Sequence, residues 1–523
     1  VSPETVRYLI PEIILLGLAS AVYLAGAFWP ARRLWSWVAF VGLAASAMAL
    51  LRQEFGGAAL GAVTSDPLAH YGRWLALLSG GLLVLMGTKA VDSPVAAEYQ
   101  ASLLLAVSGL MLTATAWDLV LLFVALELIS ISTYLLLYLG REGNQAKEAA
   151  AKYFYLSVLS SALMLYGFSF IYGIAGSTYL PRVQGVLLGQ SAEIAGLARL
   201  APLALVLLFA GLGFKMAAAP FQFYAPDVYQ GTSHANAALL SVLPKAAALI
   251  AVVRIVGFGM PGEEAIGWRL AMALGALSMT FGNVLALWQT NLRRLLAYSS
   301  IAHVGYMLIG LATGFALSGG ASAGGLDGFG AMFFYLLVYA IATIGAFATL
   351  IYLGSPDESV ETIDDLTGAG HSHPWAALAL AVFLFSLAGI PPLAGYWGKL
   401  FLFFSAINIS EAPGEQAVRA WFVGLAVLGV LNAAIAATYY LRIIGALWFR
   451  TGIAPPRGEG GWTSWLAMAA AAVLVLGLGI FPGPLVQRSN DAGQVGRPRA
   501  AQPASATITR SAAPAEVVAK RAR

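Results

Sequence analysis

Four charged residues stand inside apolar stretches where a bilayer would penalise them. Glu127 lies in DLVLLFVALELISISTYLLLYL and Lys215 in ALVLLFAGLGFKMAAAPF. Lys245 lies in ANAALLSVLPKAAALIAVV and Lys399 in LAGIPPLAGYWGKLFLFF. Each stretch is long enough, or nearly so, to cross the hydrocarbon core, which takes about 20 apolar residues. A charge at that depth costs roughly 2.5–3.5 kcal/mol on insertion scales, so such groups face a protein interior or a water-filled cavity and mark ion or proton paths. One carboxylate and three lysines on four stretches point to proton chemistry. A buried ammonium next to a carboxylate holds or releases its proton according to their separation, which makes Glu127 and Lys215 a switch. Histidine titrates near neutral pH, so His303, in SSIAHVGYM, reads as a stepping stone beside Lys245, with water between them. Lys399 reads as the terminal site.

Each of these has a plainer reading. Glu127 and Lys215 could be a packing ion pair, Lys245 could snorkel, and Lys399 could satisfy free carbonyls at a helix break. Lys152, in AAAKYFYLS, could be a loop-facing cation, and His303 a packing histidine. His371 and His373 read as a solvated loop and not a metal site. Asp227 reads as a cap, and Arg442 as pairing with a lipid head group or a loop acid.

The elements that must position these groups are membrane helices. The chain has 523 residues, 59% of them hydrophobic and only 10% charged, where soluble domains carry about 25% charged. Mean hydropathy is +0.79. With no cysteine, the chain has no disulfide and no cysteine-ligated iron–sulfur cluster. It carries no dinucleotide or Walker signature, so any redox cofactor or nucleotide site belongs to a partner. Much of the net charge of +4 sits in the C-terminal tail, so it does not signal nucleic-acid affinity. The first apolar run is long for a signal peptide and reads as a membrane helix.

Alternation of apolar runs with Gly/Pro or polar breaks predicts an all-α polytopic membrane protein of about fourteen transmembrane helices. They fall at about 6–29, 34–51, 73–90, 98–116, 118–139, 149–174, 199–229, 233–259, 268–289, 292–314, 328–353, 374–407, 418–448 and 462–484. The seventh contains Pro220 and Pro226, and the twelfth Pro391 and Pro392. Proline removes a backbone donor and clashes with the preceding turn, so both are expected to be broken helices. Broken helices in corresponding positions are a mark of inverted-repeat transporters. The expected organisation is N-terminal helices over 1–97, inverted five-helix repeats over 98–259 and 268–448, a last membrane segment over 449–484, and a polar, disordered tail over 485–523. With an even number of helices both termini lie on one side, and Lys/Arg in the loops favour an outward placement only slightly, with the basic tail counting against it.

Four motifs, FKMAAAPFQFYAPDVYQGT, NLRRLLAYSSIAHVGYM, IDDLTGAGHSHP and GIPPLAGYWGKL, resemble the antiporter-like membrane subunits of the bacterial proton-pumping NADH–quinone oxidoreductase, respiratory complex I. PDVYQGT, YFYLSVLSSALMLYG and the lysine at 399 are similar to its subunit N family in particular. The resemblance covers about 6–484. It implies a proton-translocating multi-pass subunit in the bacterial inner membrane, next to other antiporter-like and small membrane-arm subunits. It implies proton-transfer roles for Glu127, Lys152, Lys215, Lys245, His303 and Lys399, and helix breaks at Pro220, Pro391 and Pro392. It places no cofactor in this chain, and NADH, flavin, iron–sulfur clusters and quinone in partner subunits. Where the family often has histidine after the broken-helix proline, this chain has Gln222, which cannot titrate. The alternatives are a subunit of an Mrp-type Na⁺/H⁺ antiporter, a subunit of an energy-converting hydrogenase membrane arm, or a structural scaffold.

Overall fold

The apolar runs fold into helices, and their periodicity decides which of them end inside. The computed structural model describes residues 2–29, 32–53, 59–90, 95–141, 143–190, 197–316, 327–355, 359–409, 416–450 and 456–496. In chain order the helices are α1 (Pro3–Tyr8), α2 (Ile10–Gly26), α3 (Arg32–Leu51), α4 (Pro67–Ala90), α5 (Ala96–Thr115), α6 (Leu119–Leu139), α7 (Asn144–Ala175) and α8 (Leu180–Gly185). They continue with α9 (Ala201–Lys215), α10 (Ala225–Gly231), α11 (His234–Val252), α12 (Glu264–Ala286), α13 (Leu292–Ala316) and α14 (Gly328–Leu353). The last are α15 (Ala369–Ser372), α16 (Pro374–Ala388), α17 (Ala394–Ile407), α18 (Gln416–Phe449), α19 (Trp462–Ile480) and α20 (Gly483–Gly493). A two-stranded hairpin, Ala59–Leu60 with Val63–Thr64, is the one sheet among the described residues.

Ten of these helices are long and apolar enough to cross a membrane, and α2, α9 and α16 are shorter apolar helices. Together with α5, and with α9–α10 and α16–α17 each taken as one interrupted segment, they account for the fourteen apolar runs. Helices apolar on all sides go to the interior. Every residue of α11 is buried, and α13 and α14 are nearly so. Helices such as α3, α7 and α18 keep large apolar side chains outward, among them Trp37, Tyr155 and Trp421.

The internal repeat is visible in the backbone. Leu119 N donates to Thr178 O (2.9 Å) and Leu180 N to Trp117 O (3.1 Å), tying the start of α6 to the chain beyond α7. Leu292 N donates to Glu361 O (2.7 Å) and Ile363 N to Thr290 O (3.1 Å), tying the start of α13 to the chain beyond α14 in the same way. The segment α6 is the fifth apolar crossing and α13 the tenth, so the two straps lie at opposite faces. That is an inverted relation.

Both breaks occur at the prolines. The helix α9 ends at Lys215; a bend over 216–220 and a 3₁₀ turn, Phe221–Tyr224, lead into α10. Backbone groups freed inside a membrane need partners. Here Ala219 N donates to Ser278 Oγ (2.8 Å) and Tyr224 OH to Phe214 O (3.0 Å). The second break spans 389–393, between α16 and α17. Gly389 caps α16 with φ 89°, a left-handed conformation that glycine adopts without steric cost. A Cβ there would come within 2.8 Å of Lys399 Cδ.

Residues 485–493, expected to open a polar, disordered tail, form a packed helix instead. Leu485, Ser489, Ala492 and Gly493 are buried on one face of α20, and Asp327 N donates to Asn490 Oδ1 (3.4 Å). That spacing is a helical stripe, which the average polarity of the whole segment masks. Residues 497–523 lie outside the described residues.

Candidate functional site

The first centre lies where α6, α7 and α9 meet. Asp118 caps α6 by accepting from Val120 N (2.8 Å), and the helix then carries Glu127 and Ser130 inward. Lys215 is the last residue of α9, at the negative end of the helix dipole, where a cation is favoured. Its ammonium donates to Glu127 Oε1 (2.9 Å), Ser130 Oγ (2.8 Å) and Ser161 Oγ (3.2 Å). A lysine has three N–H donors, and all three are used. Ser161 Oγ in turn donates to Glu127. Burial is unequal: the Lys215 side chain is 4% exposed and that of Glu127 20%.

The second centre is built on α11, α13, α14 and α18. Lys245 donates to Ser300 Oγ, which also accepts from Tyr339 OH (2.7 Å). His303, three residues beyond Ser300 on α13, has a tyrosine hydroxyl at each ring nitrogen: Tyr335 OH 2.6 Å from Nδ1 and Tyr440 OH 2.9 Å from Nε2. The Tyr440 hydroxyl also meets Ser299 Oγ (2.5 Å). These polar groups are buried, and buried polar groups are costly unless hydrogen-bonded, so the network also fixes how the four helices pack.

Lys399, on α17, reaches back across the second break. Its ammonium donates to Ala388 O (2.9 Å) and stands 4.7 Å from the centre of the Tyr306 ring, within cation–π range. The carbonyl is a free C-terminal acceptor of α16. Among the described residues Lys399 has no carboxylate partner, so the two break lysines differ: one is ion-paired and the other is not.

Other residues singled out from the sequence lie elsewhere. Lys152 is not in the interior. Its side chain is 41% exposed and pairs with Glu148 (2.8 Å) and Asp227 (3.1 Å). Asp227 also takes Arg294 (2.6 Å), and α10 has no side-chain cap bond, so Asp227 is an ion-pair partner and not the expected cap. Together Glu148, Lys152, Asp227 and Gln230 line a polar cleft of about 220 Å³. This is the loop-facing cation that its place near a helix start allowed. Arg442 forms no ion pair with an acid among the described residues; it donates to Leu287 O (2.8 Å) and Gln289 O (2.5 Å), closing the end of α12. His373 Nε2 bonds Pro456 O (3.0 Å), and no group of three or more His, Cys, Asp or Glu capable of holding a metal occurs among the described residues. Gln222, after the first break, has a buried Oε1 without a hydrogen-bond partner.

Sequence reasoning missed two buried ion pairs and the tyrosines. Arg73 holds Glu12 by two hydrogen bonds (2.6 and 3.1 Å), with both side chains 1% exposed. Arg254 holds Asp66 and donates to Ala114 O (2.5 Å). Glu12 and Arg254 lie within apolar runs, and counting them beside the four chosen charges would have found them. The tyrosines had no such signal.

Comparison with known proteins agrees with this architecture. The family model described as NADH:quinone oxidoreductase/Mrp antiporter, TM, matches residues 116–424. The NADH-quinone oxidoreductase subunit N of Trichlorobacter lovleyi is 35% identical over 487 residues, covering 91% of this chain and 93% of that protein. The subunit N of Paramagnetospirillum magneticum is 34% identical over 501 residues, covering 93% and 97%. A chain of respiratory complex I from Thermus thermophilus with bound aureothin superposes with a TM-score of 0.74 at 35% identity, covering 92% of this chain and all of that one. A chain of the Mrp complex from a Dietzia species matches in fold, with a TM-score of 0.75 at 21% identity over 93% and 97% of the two chains. With its repeats, its breaks and its buried lysines, this chain belongs to the NADH:quinone oxidoreductase/Mrp antiporter membrane family.

Proposed function

We propose that this chain is the subunit N component of a proton-pumping NADH–quinone oxidoreductase in a bacterial cell membrane. It is a non-redox subunit: electrons pass from NADH to quinone through flavin and iron–sulfur clusters in partner subunits, and this chain moves protons. The observation that carries the reading is a pair of buried lysine centres, one at each helix break of the inverted repeats, with Lys245 and His303 on the interior helices between them. The chain has no cysteine with which to ligate an iron–sulfur cluster.

In this reading Glu127 and Lys215 form the switch. While in contact, the carboxylate stabilises the ammonium; when a shift of the broken helix separates them, the desolvated ammonium gives up its proton. The proton passes to Lys245, then through the His303 group toward Lys399, which exchanges it at the far end. Irregular backbone at both breaks supplies the means of movement, since helix ends can shift where regular helices cannot. Lys152 is proposed for proton transfer only at the surface, through the ion-pair cleft it shares with Asp227.

The test is proton translocation during NADH-driven quinone reduction by the complex in vesicles. Lys215→Ala and Glu127→Gln should each lose most of the pumping assigned to this chain while the complex assembles and still reduces quinone. Near-normal pumping by an assembled Lys215→Ala complex refutes the reading. Sodium-dependent proton exchange without NADH would move the chain to the antiporter branch of the family.

A further inference from the structure

We infer that His303 does not exchange protons with either lysine directly but through Tyr335 and Tyr440, which act with it as a three-group proton relay. This rests on the proton-pumping reading above and adds two residues to it. Three observations carry it. First, both ring nitrogens of His303 are occupied by tyrosine hydroxyls, at 2.6 and 2.9 Å, so any proton reaching or leaving the ring crosses one of them. Second, the two tyrosines lead in opposite directions. Tyr440 OH meets Ser299 Oγ at 2.5 Å, and the next residue, Ser300, carries Lys245. Tyr335 packs against the backbone of Gly398, the residue before Lys399: a Cβ on Gly398 would stand 2.4 Å from Tyr335 Cδ2. Third, the tyrosine whose ring faces His303 most closely is not part of the relay. Tyr339 lies 5.0 Å away, centre to centre, but its hydroxyl donates to Ser300 Oγ (2.7 Å).

The chemistry balances without a charged intermediate on any of the three groups. Neutral imidazole has one N–H donor and one bare nitrogen, so one tyrosine donates to the ring while the other accepts from it. Take Nε2–H donating to Tyr440 and Tyr335 donating to Nδ1. A proton arriving at the Tyr335 oxygen forms a new O–H bond there. The hydrogen already on Tyr335 moves to Nδ1, the Nε2 hydrogen moves to the Tyr440 oxygen, and the original Tyr440 hydrogen leaves toward Ser299. One proton has entered, one has left, and all three groups are neutral again. The ring now holds its hydrogen on Nδ1, so a second proton cannot follow in the same direction until the hydroxyls and the tautomer reset. Transfer in the opposite direction runs the same bonds in reverse. The relay therefore passes one proton per reset.

The test uses the assembled membrane complex in vesicles, with quinone reduction and proton translocation read together. Tyr335→Phe and Tyr440→Phe each keep the ring and remove only the hydroxyl. Each is expected to lower proton flux through this chain at least threefold with quinone reduction retained. His303→Gln keeps one donor and one acceptor near the two hydroxyls but cannot pass a proton through a ring, so it should fail equally; a packing role predicts that it pumps like wild type. Wild-type pumping by either tyrosine variant, or by His303→Gln, overturns the relay. Lys215→Ala run alongside separates the two proposals. If it is inactive while the tyrosine variants pump, the relay alone fails; if it too pumps normally, the pumping reading fails. Should a tyrosine variant not assemble, His303→Gln decides.

Discussion

The Glu127–Lys215 contact can be tested as a thermodynamic cycle that separates its structural worth from its role in transport. Lys215→Met keeps an unbranched apolar stem and deletes all three N–H donors. Glu127 then retains one direct donor, Ser161, for a carboxylate 20% exposed. Glu127→Gln leaves an ammonium 4% exposed whose remaining acceptors are neutral. Removing one partner of a buried pair costs about 3–5 kcal/mol, because the other charge stays behind uncompensated. The difference in exposure puts Lys215→Met toward the lower end of that range and Glu127→Gln toward the upper end. The double variant leaves no charge behind, and replacing a whole buried pair by neutral groups is often close to neutral. The two single costs should therefore exceed the double cost by at least about 3 kcal/mol, above the usual coupling of neighbouring residues.

The assay is denaturant titration of the purified chain in detergent micelles, followed by tryptophan fluorescence, with proton translocation measured on the same variants in the complex. The double variant should regain most of its stability and none of its pumping. A packing pair predicts that the two recover together. Single variants that each cost under about 1 kcal/mol, or a double cost equal to the sum, would refute the coupling. A stable double variant that pumps at the wild-type rate would refute the switch.

Two further outcomes follow from single contacts. Lys399→Arg keeps a cation that can reach Ala388 O and stack on Tyr306, but guanidinium stays protonated at any relevant pH. It should assemble normally and fail to pump, and Lys399→Met should fail as well; full rescue by arginine in pumping vesicles would reduce Lys399 to a helix cap. Glu361, in the chain between α14 and α15, accepts from Arg141 and Arg293, both at 2.8 Å. Burial alone would push its carboxyl up, but Arg293, Ser359 and Arg141 more than offset this and hold it at about 2. A depressed carboxylate contributes stability above the unfolded value of about 4.3 and loses it as pH falls through the folded value. Glu361→Gln should therefore be less stable than wild type near neutral pH, with the gap closing between about pH 4 and 2. A gap that does not change with pH in thermal denaturation would sink that assignment.

How much was legible in the sequence depended on how rare a signal was against its background. Charges are scarce in apolar runs, so Glu127, Lys215, Lys245 and Lys399 stood out, and all four have inward-reaching side chains. Prolines are equally scarce there, and both breaks fall where Pro220, Pro391 and Pro392 predict them. Tyrosine is common, with 21 in the chain, so nothing marked Tyr335 or Tyr440 as the neighbours of His303. That pairing depends on α14 and α18 both packing against α13, over separations of 32 and 137 residues. Lys152 has two readings in the sequence, a proton carrier or a loop-facing cation, and its 41% exposed side chain fits the second. A lysine near a helix start has the same local sequence whether it faces inward or into a surface cleft, and the acids that hold it, Glu148 and Asp227, decide which. Arg442 reads in the sequence as pairing with a lipid head group or a loop acid because its acceptors here are backbone carbonyls at the end of α12, which a sequence does not display.

The two repeats use one backbone device with different partners, and on the proposed pumping reading that difference gives the scaffold a direction. Each break has a lysine close to it in the chain: Lys215 ends α9, and Lys399 reaches back to Ala388 O. In the first repeat α6 supplies Glu127, and the ammonium of Lys215 is balanced by a full negative charge at 2.9 Å. In the second, the corresponding helix α13 supplies His303, whose nitrogens are engaged by tyrosines, and Lys399 has only a carbonyl and a ring face. A buried cation is stabilised far more by a carboxylate than by a dipole. The two ammonium groups therefore stand in different surroundings, one against a carboxylate and the other against a carbonyl and a ring face. On the proposed pumping reading, opening the Glu127–Lys215 pair removes that difference, so that a small movement at one break changes which end of the interior favours the proton.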